Sequence, residues 1–168
     1  MSDLHIRAGV AGAILCNSMS HRFDRRTLSE GREVLYRRPL TVRFQDADAA
    51  GIIFFARIPE YFHDAYFAWL MEEGGFDLPE MMRTASIMMP LQHQSCDYFR
   101  PLSFGERAEA QVVAVHLEGS SFTVGFRMIR GDEVVAVGQQ VHVCADRQTL
   151  QRQALPEDFA TFLRGDTP

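Results

Sequence analysis

Between residues 40 and 45 the apolar Leu40, Val42 and Phe44 alternate with Thr41, Arg43 and Gln45, the period of two that marks a half-buried strand. The period changes near residue 57. Ile58, Tyr61, Phe62, Ala65, Ala68 and Trp69 recur at spacings of three and four, while Tyr66, Phe67, Leu70 and Met71 leave the opposite face apolar as well. That spacing predicts a helix over 57–73 that is buried on most sides. Pro59 stands near its first turn, where a missing N–H costs nothing, and Gly74 and Gly75 stop it. Downstream, 87–99 (broken at Pro90), 107–117, 121–130 and 133–145 read as strands, and 155–165 as a short terminal helix. Gly119-Ser120 and Gly131-Asp132 supply the hairpin turns between the last three strands. One strand, one buried helix and then a meander is an α+β layout, with an antiparallel sheet wrapped around the helix.

Upstream of this block neither period persists. Residues 1–35 mix Gly, Ser and Arg with a short apolar patch, and they read as a flexible or loosely packed N-terminal extension. Residues 36–168 form a single domain, long enough to bury a core without staples. A net charge of −5 argues against a nucleic-acid partner, for which a basic face is expected. No apolar run approaches the roughly 20 residues of a membrane-spanning helix, and the 8–16 stretch lacks the cleavage pattern of an export signal. Cys16, Cys96 and Cys144 are too few and too scattered for a disulfide framework or a zinc site, so the chain is expected in the reducing cytoplasm.

The chemistry concentrates where the first strand gives way to the helix. Asp46 and Asp48 stand two apart, ahead of Gly51 and the aromatic pair Phe54 and Phe55. Two readings compete: aspartates that cap backbone N–H groups of a turn, and an acid set against a helix start for carboxylate catalysis. Three other sets carry possible chemistry. Glu60, His63 and Asp64 share the helix, with Glu60 and Asp64 at i, i+4 on one face. His93 and Asp97 share one strand face, and His142 lies in an apolar strand. No ligand spacing supports a metal among His93, Asp97, His142 and Cys144.

The segment Asp46-Ala-Asp48-Ala-Ala-Gly51-Ile-Ile-Phe-Phe55, followed by Glu60-Tyr-Phe-His-Asp-Ala65, resembles the 4-hydroxybenzoyl-CoA thioesterase family of hotdog-fold acyl-CoA hydrolases. The likeness runs over roughly residues 37–146. Met89-Pro-Leu-Gln-His-Gln-Ser-Cys-Asp-Tyr-Phe-Arg-Pro101 and Gly138-Gln-Gln-Val-His-Val-Cys144 are most similar to the branch that hydrolyses 1,4-dihydroxy-2-naphthoyl-CoA. The resemblance implies a hotdog fold and hydrolysis of an aryl- or other apolar acyl-CoA thioester. It makes Asp48 the nucleophile or general base, with Gly51 permitting the turn and the Phe55 backbone N–H facing the developing oxyanion. Phe54, His63, Asp64 and His93 are then substrate-binding candidates, and Asp46 keeps a supporting or capping role. No metal and no cofactor are implied, coenzyme A being part of the substrate. Homodimers or homotetramers with sites at subunit interfaces complete the expectation.

Two departures stand out. Phe55 replaces a tyrosine found in some relatives, and the turn at 117–122 carries none of the basic residues that meet CoA phosphates in others. Arg100, Arg127, Arg130 and Arg147 are the available substitutes. The second departure keeps two alternatives open: a thioesterase acting on an acyl carrier protein, and a non-catalytic acyl-CoA-binding module.

Overall fold

The computed structural model describes residues 20–31 and 33–166. Five antiparallel strands form the main sheet in the order β1 (Tyr36–Thr41), β4 (Arg107–Glu118), β5 (Ser121–Arg130), β6 (Glu133–Val143) and β3 (Leu91–Tyr98). The two hairpins sit at the predicted glycine turns. Ser121 pairs with Glu118 across the first, and Arg130 with Glu133 across the second. The strand expected over 87–99 breaks at Met89-Pro90. Its first part, β2 (Ile87–Met88), pairs instead with β7 (Ala145–Asp146), the continuation of β6 past Cys144.

Helix α2 (Arg57–Glu72) lies on the inner face of the sheet. Ile58, Phe62, Ala65, Tyr66, Trp69 and Leu70 are all buried there, and Phe62 stacks on Phe126 of β5 with ring centroids 5.1 Å apart. Full burial of one such side chain contributes about 1.5–3 kcal/mol, so this face is a large part of the driving force for the fold. Helices α3 (Leu78–Thr84) and α4 (Glu157–Arg164) close the far end, where Phe159 meets Phe76 and Phe122. The sheet wrapped around one long helix is the expected hotdog arrangement.

The first strand begins and ends earlier than its alternation predicts. Residues 44–46 form a single 3₁₀ turn, which leaves Phe44 exposed and turns Asp46 inward. Alternation is a property of extended backbone, and it lapses once the chain coils.

Residues 1–19 of the expected extension lie outside the described residues. Residues 20–31 pack on the outer face of the sheet. Asp24 caps the short helix α1 (Arg25–Glu30) through the Thr27 N–H, and Leu28 is buried against Val113 and Val137. The Gln139 side chain exchanges two hydrogen bonds with the Phe23 backbone, and Arg127 donates to the carbonyls of Ser29 and Gly31. Gly125 makes room for this segment: a Cβ there would come within 2.5 Å of the Leu28 side chain.

Candidate active site

From Ala47 to Ile53 the chain makes a small hairpin, closed by a bridge between those two residues. The Asp48 N–H donates to the Ile52 carbonyl at 2.8 Å, and the Gly51 N–H to the Asp48 carbonyl at 3.0 Å. Gly51 adopts φ +76°, a left-handed conformation in which a Cβ would be strained. The hairpin is fixed at its base, where Phe54 N–H donates to Asp46 O and Ile53 N–H to Leu102 O.

The two aspartates meet opposite surroundings. Asp46 is 1 % exposed, and its carboxylate accepts from Arg43 Nε at 2.6 Å, Arg43 Nη2 at 3.1 Å and the Tyr61 hydroxyl at 2.5 Å. Arg57 Nε stands 3.7 Å away. The Arg43 guanidinium holds the Asp46 carboxyl below the usual range, against the opposing effect of burial. Asp48 is exposed, and one oxygen accepts from the Ala50 N–H at 2.8 Å. Among the described residues, no side chain pairs with the Asp48 carboxylate.

Past the hairpin the chain turns into α2. The Arg57 N–H donates to the Phe54 carbonyl, while the Phe55 and Ala56 N–H groups make no hydrogen bond to the described residues. Tyr98 fixes the Phe55 peptide by donating to its carbonyl at 2.8 Å. Two free N–H groups at the positive end of a sixteen-residue helix form a site for negative charge.

A cavity of about 900 Å³ opens beside this helix start. Arg43, Ala56 and Arg57 line one end; Leu70, Met81 and Phe159 line the other. His63 and Asp64 are on its wall. His63 Nδ1 lies 3.1 Å from Gln140 Oε1, and Gln140 in turn donates to Gln94 at 2.9 Å. Burial lowers the pKa of His142, another wall residue, to about 4, so its ring stays neutral.

Two expected binding residues are placed elsewhere. His93 belongs to the opposite strand face from Gln94, whose side chain reaches inward to Gln140, and His93 does not line the cavity. Burial and Arg22 lower its pKa, and it makes no hydrogen bond to Asp97. Phe54 is 44 % exposed and packs on Phe55, outside the cavity. Glu60 is taken up by an ion pair with Arg57 at 2.7 Å. The arginines suggested for phosphate contacts are also engaged: Arg100 and Arg130 with acidic side chains, Arg127 with the N-terminal segment and Arg147 with the Met82 carbonyl. Sequence reasoning missed Gln94, Gln140 and Tyr66 on the cavity wall. A strand carrying Gln139-Gln140 amid apolar residues was the available signal for the glutamines, because a buried amide needs partners.

The sequence matches the thioesterase-like superfamily over residues 42–163. It is 34 % identical over 123 residues to the 1,4-dihydroxy-2-naphthoyl-CoA hydrolase of Synechococcus elongatus, covering 73 % of this chain and 90 % of that one. Among solved structures, a 1,4-dihydroxy-2-naphthoyl-CoA thioesterase from Synechocystis superposes with a TM-score of 0.73 at 23 % identity, over 79 % of this chain and 98 % of that one. A gentisyl-coenzyme A thioesterase superposes with a TM-score of 0.66 at 26 % identity, over 74 % and 98 % of the two chains. This chain belongs to the thioesterase-like superfamily, and it is a hotdog-fold enzyme that hydrolyses thioesters.

Proposed function

We propose that the chain hydrolyses an aryl-CoA thioester, with Asp48 as its reactive carboxylate. The observation that carries this reading is the conjunction of three things along ten residues of chain. Among the described residues, an exposed carboxylate with no side-chain partner and two unpaired backbone N–H groups at a helix start follow one another from Asp48 to Ala56, and Ala56 and Arg57 stand on the wall of a mainly apolar cavity. The acyl group occupies the cavity, and the thioester carbonyl oxygen faces the N–H groups of Phe55 and Ala56. Losing one such oxyanion donor typically costs about 3 kcal/mol of transition-state stabilisation.

Asp48 acts by one of two balanced routes. As a nucleophile, its oxygen bonds to the carbonyl carbon, the C–S bond breaks, and the thiolate takes a proton from solvent; water then cleaves the anhydride. As a general base, it accepts a proton from the water that attacks the carbonyl. Either way the products are the free acid and coenzyme A, and no cofactor enters the balance. Relatives that are named for 1,4-dihydroxy-2-naphthoyl-CoA favour a flat bicyclic acyl group.

The surroundings of Asp48 support assembly as a homodimer or homotetramer. Phe44, Phe54, Phe55, Tyr98 and Phe104 are all exposed by more than 40 %, a run of aromatic surface that a second copy would cover.

The test is thiol release from a panel of aryl- and fatty-acyl-CoA esters, for the parent and for Asp48→Asn. Hydrolysis of an aryl ester by the parent, lost by about 10²-fold or more in the variant, supports the assignment. Equal rates in both would transfer the role to Glu60 or Asp64, the two carboxylates on the cavity wall.

A further inference from the structure

Two polar groups on the cavity wall have no partner among the described residues. His142 is 2 % exposed, and its Nε2 makes no hydrogen bond. Its other ring nitrogen, Nδ1, lies 3.2 Å from the Met89 carbonyl oxygen. A carbonyl only accepts, so Nδ1 carries the proton and Nε2 presents a lone pair. Tyr66 is also 2 % exposed, and its hydroxyl makes no hydrogen bond to the described residues. Burial alone raises its pKa, so the phenol remains a donor. The two rings lie 5.0 Å apart, centroid to centroid, and both line the cavity. By contrast, the neighbouring glutamines and His63 satisfy one another through the chain from His63 to Gln94.

A buried acceptor beside a buried donor, in a cavity whose wall also carries Phe67, Leu70, Leu78 and four methionines, with Glu60, Asp64 and three arginines among its charged residues, matches one kind of ligand group. We propose that Tyr66 and His142 form a hydroxyl-reading pair, selecting acyl groups that carry a ring hydroxyl over the same rings without one. The substrate hydroxyl donates to His142 Nε2 and accepts from the Tyr66 O–H. A ring lacking that hydroxyl leaves both groups unpaired on binding, and a site built this way discriminates strongly against such an analogue. The proposal rests on the aryl-thioesterase reading and assigns the two residues of this site that read the hydroxyl of the acyl ring.

The experiment compares hydroxylated and unsubstituted benzoyl- and 2-naphthoyl-CoA esters by kcat/KM, and the corresponding free acids by calorimetric binding. The proteins are the full chain, Tyr66→Phe and His142→Asn, the last keeping a donor for Met89 while removing the Nε2 acceptor. In the parent at least one hydroxylated ester exceeds its unsubstituted counterpart by roughly 10- to 100-fold, and each variant brings that ratio to within about 3-fold. Tyr66→Phe decides the matter if His142→Asn does not fold. Turnover of aryl esters by the parent with a ratio near one, or a ratio that persists in the variants, overturns this inference and leaves the thioesterase reading standing. No turnover, with the hydroxylated acids still bound preferentially and the preference lost in the variants, overturns the aryl-CoA reading and supports the pair. No turnover and no preference among the acids overturns both.

Discussion

Two carboxylates stand two residues apart in the segment that joins the first strand to the central helix, and they have nothing else in common. Asp46 is buried under Tyr61 and Arg43, each of its oxygens engaged. Asp48 is exposed on a hairpin and, among the described residues, its carboxylate holds only the Ala50 N–H. The anchored half of the segment sets where the open half lies. Phe54 donates to the Asp46 carbonyl, and this bond closes the hairpin that presents Asp48. A carboxylate locked among partners is poorly placed to act on a substrate. One free of side-chain partners, held by its backbone, is ready to do so. An anchored carboxylate and an open one thus stand within three residues of each other.

The sharpest way to break the comparison is to exchange the roles by mutation. Asp48→Asn is expected to lower kcat by about 10²-fold or more while moving unfolding stability by less than about 0.5 kcal/mol, since an amide oxygen still serves the Ala50 N–H. Thiol release and urea unfolding on the same preparation read both. Asp46→Asn should do the reverse, costing about 3 kcal/mol in urea unfolding by leaving Tyr61 and two guanidinium groups poorly matched. Activity then falls only as far as the hairpin loosens. A stable Asp46→Asn protein would show that the anchor is dispensable.

The pH dependence of that second variant sharpens the contrast further. The folded Asp46 pKa lies below its unfolded value, so its contribution is present in full above about pH 4 and is lost as pH falls through the folded value. The stability gap between parent and Asp46→Asn should therefore be constant from pH 7 to 5 and narrow below about pH 4. A gap unchanged at pH 3 would remove the ion pair from the account. Tyr61→Phe deletes one bond to the carboxylate and is expected to cost about 1.5–2 kcal/mol by the same unfolding measurement. Gly51→Ala strains the open half alone. It should cost about 1 kcal/mol, with a drop in kcat larger than its effect on KM if hairpin geometry positions the acid.

Much of the fold was legible in the chain. The hairpins at Gly119 and Gly131, the buried helix after Arg57 and the break at Pro90 all follow from local period and turn chemistry. The first strand was displaced because its alternation continues into residues that coil into a 3₁₀ turn. At the site, Asp48, Gly51 and the Phe55 peptide fall in one hairpin and helix start as expected, and His63 and Asp64 reach the cavity wall. His93 does not, because a one-residue irregularity between Leu91 and His93 shifts the register of that strand. The packed segment from Ser20 to Gly31 carried no periodic signal at all. It is held by Gln139, Thr123 and Arg127, each about a hundred residues away in sequence.

The sequence by itself determined the central helix, the two hairpins of the strand meander and their glycine turns, and it placed an acid before a buried helix, because period, capping and turn chemistry act over a few neighbouring residues. Which aspartate would be buried, which histidine would line the cavity and which polar groups there would go unpaired were decided only when distant segments packed. Tyr61 reaches Asp46 from fifteen positions away, and the ring of His142 meets Tyr66 across the sheet–helix interface. Burial and hydrogen-bond satisfaction are properties of that packing, and no local pattern encodes them.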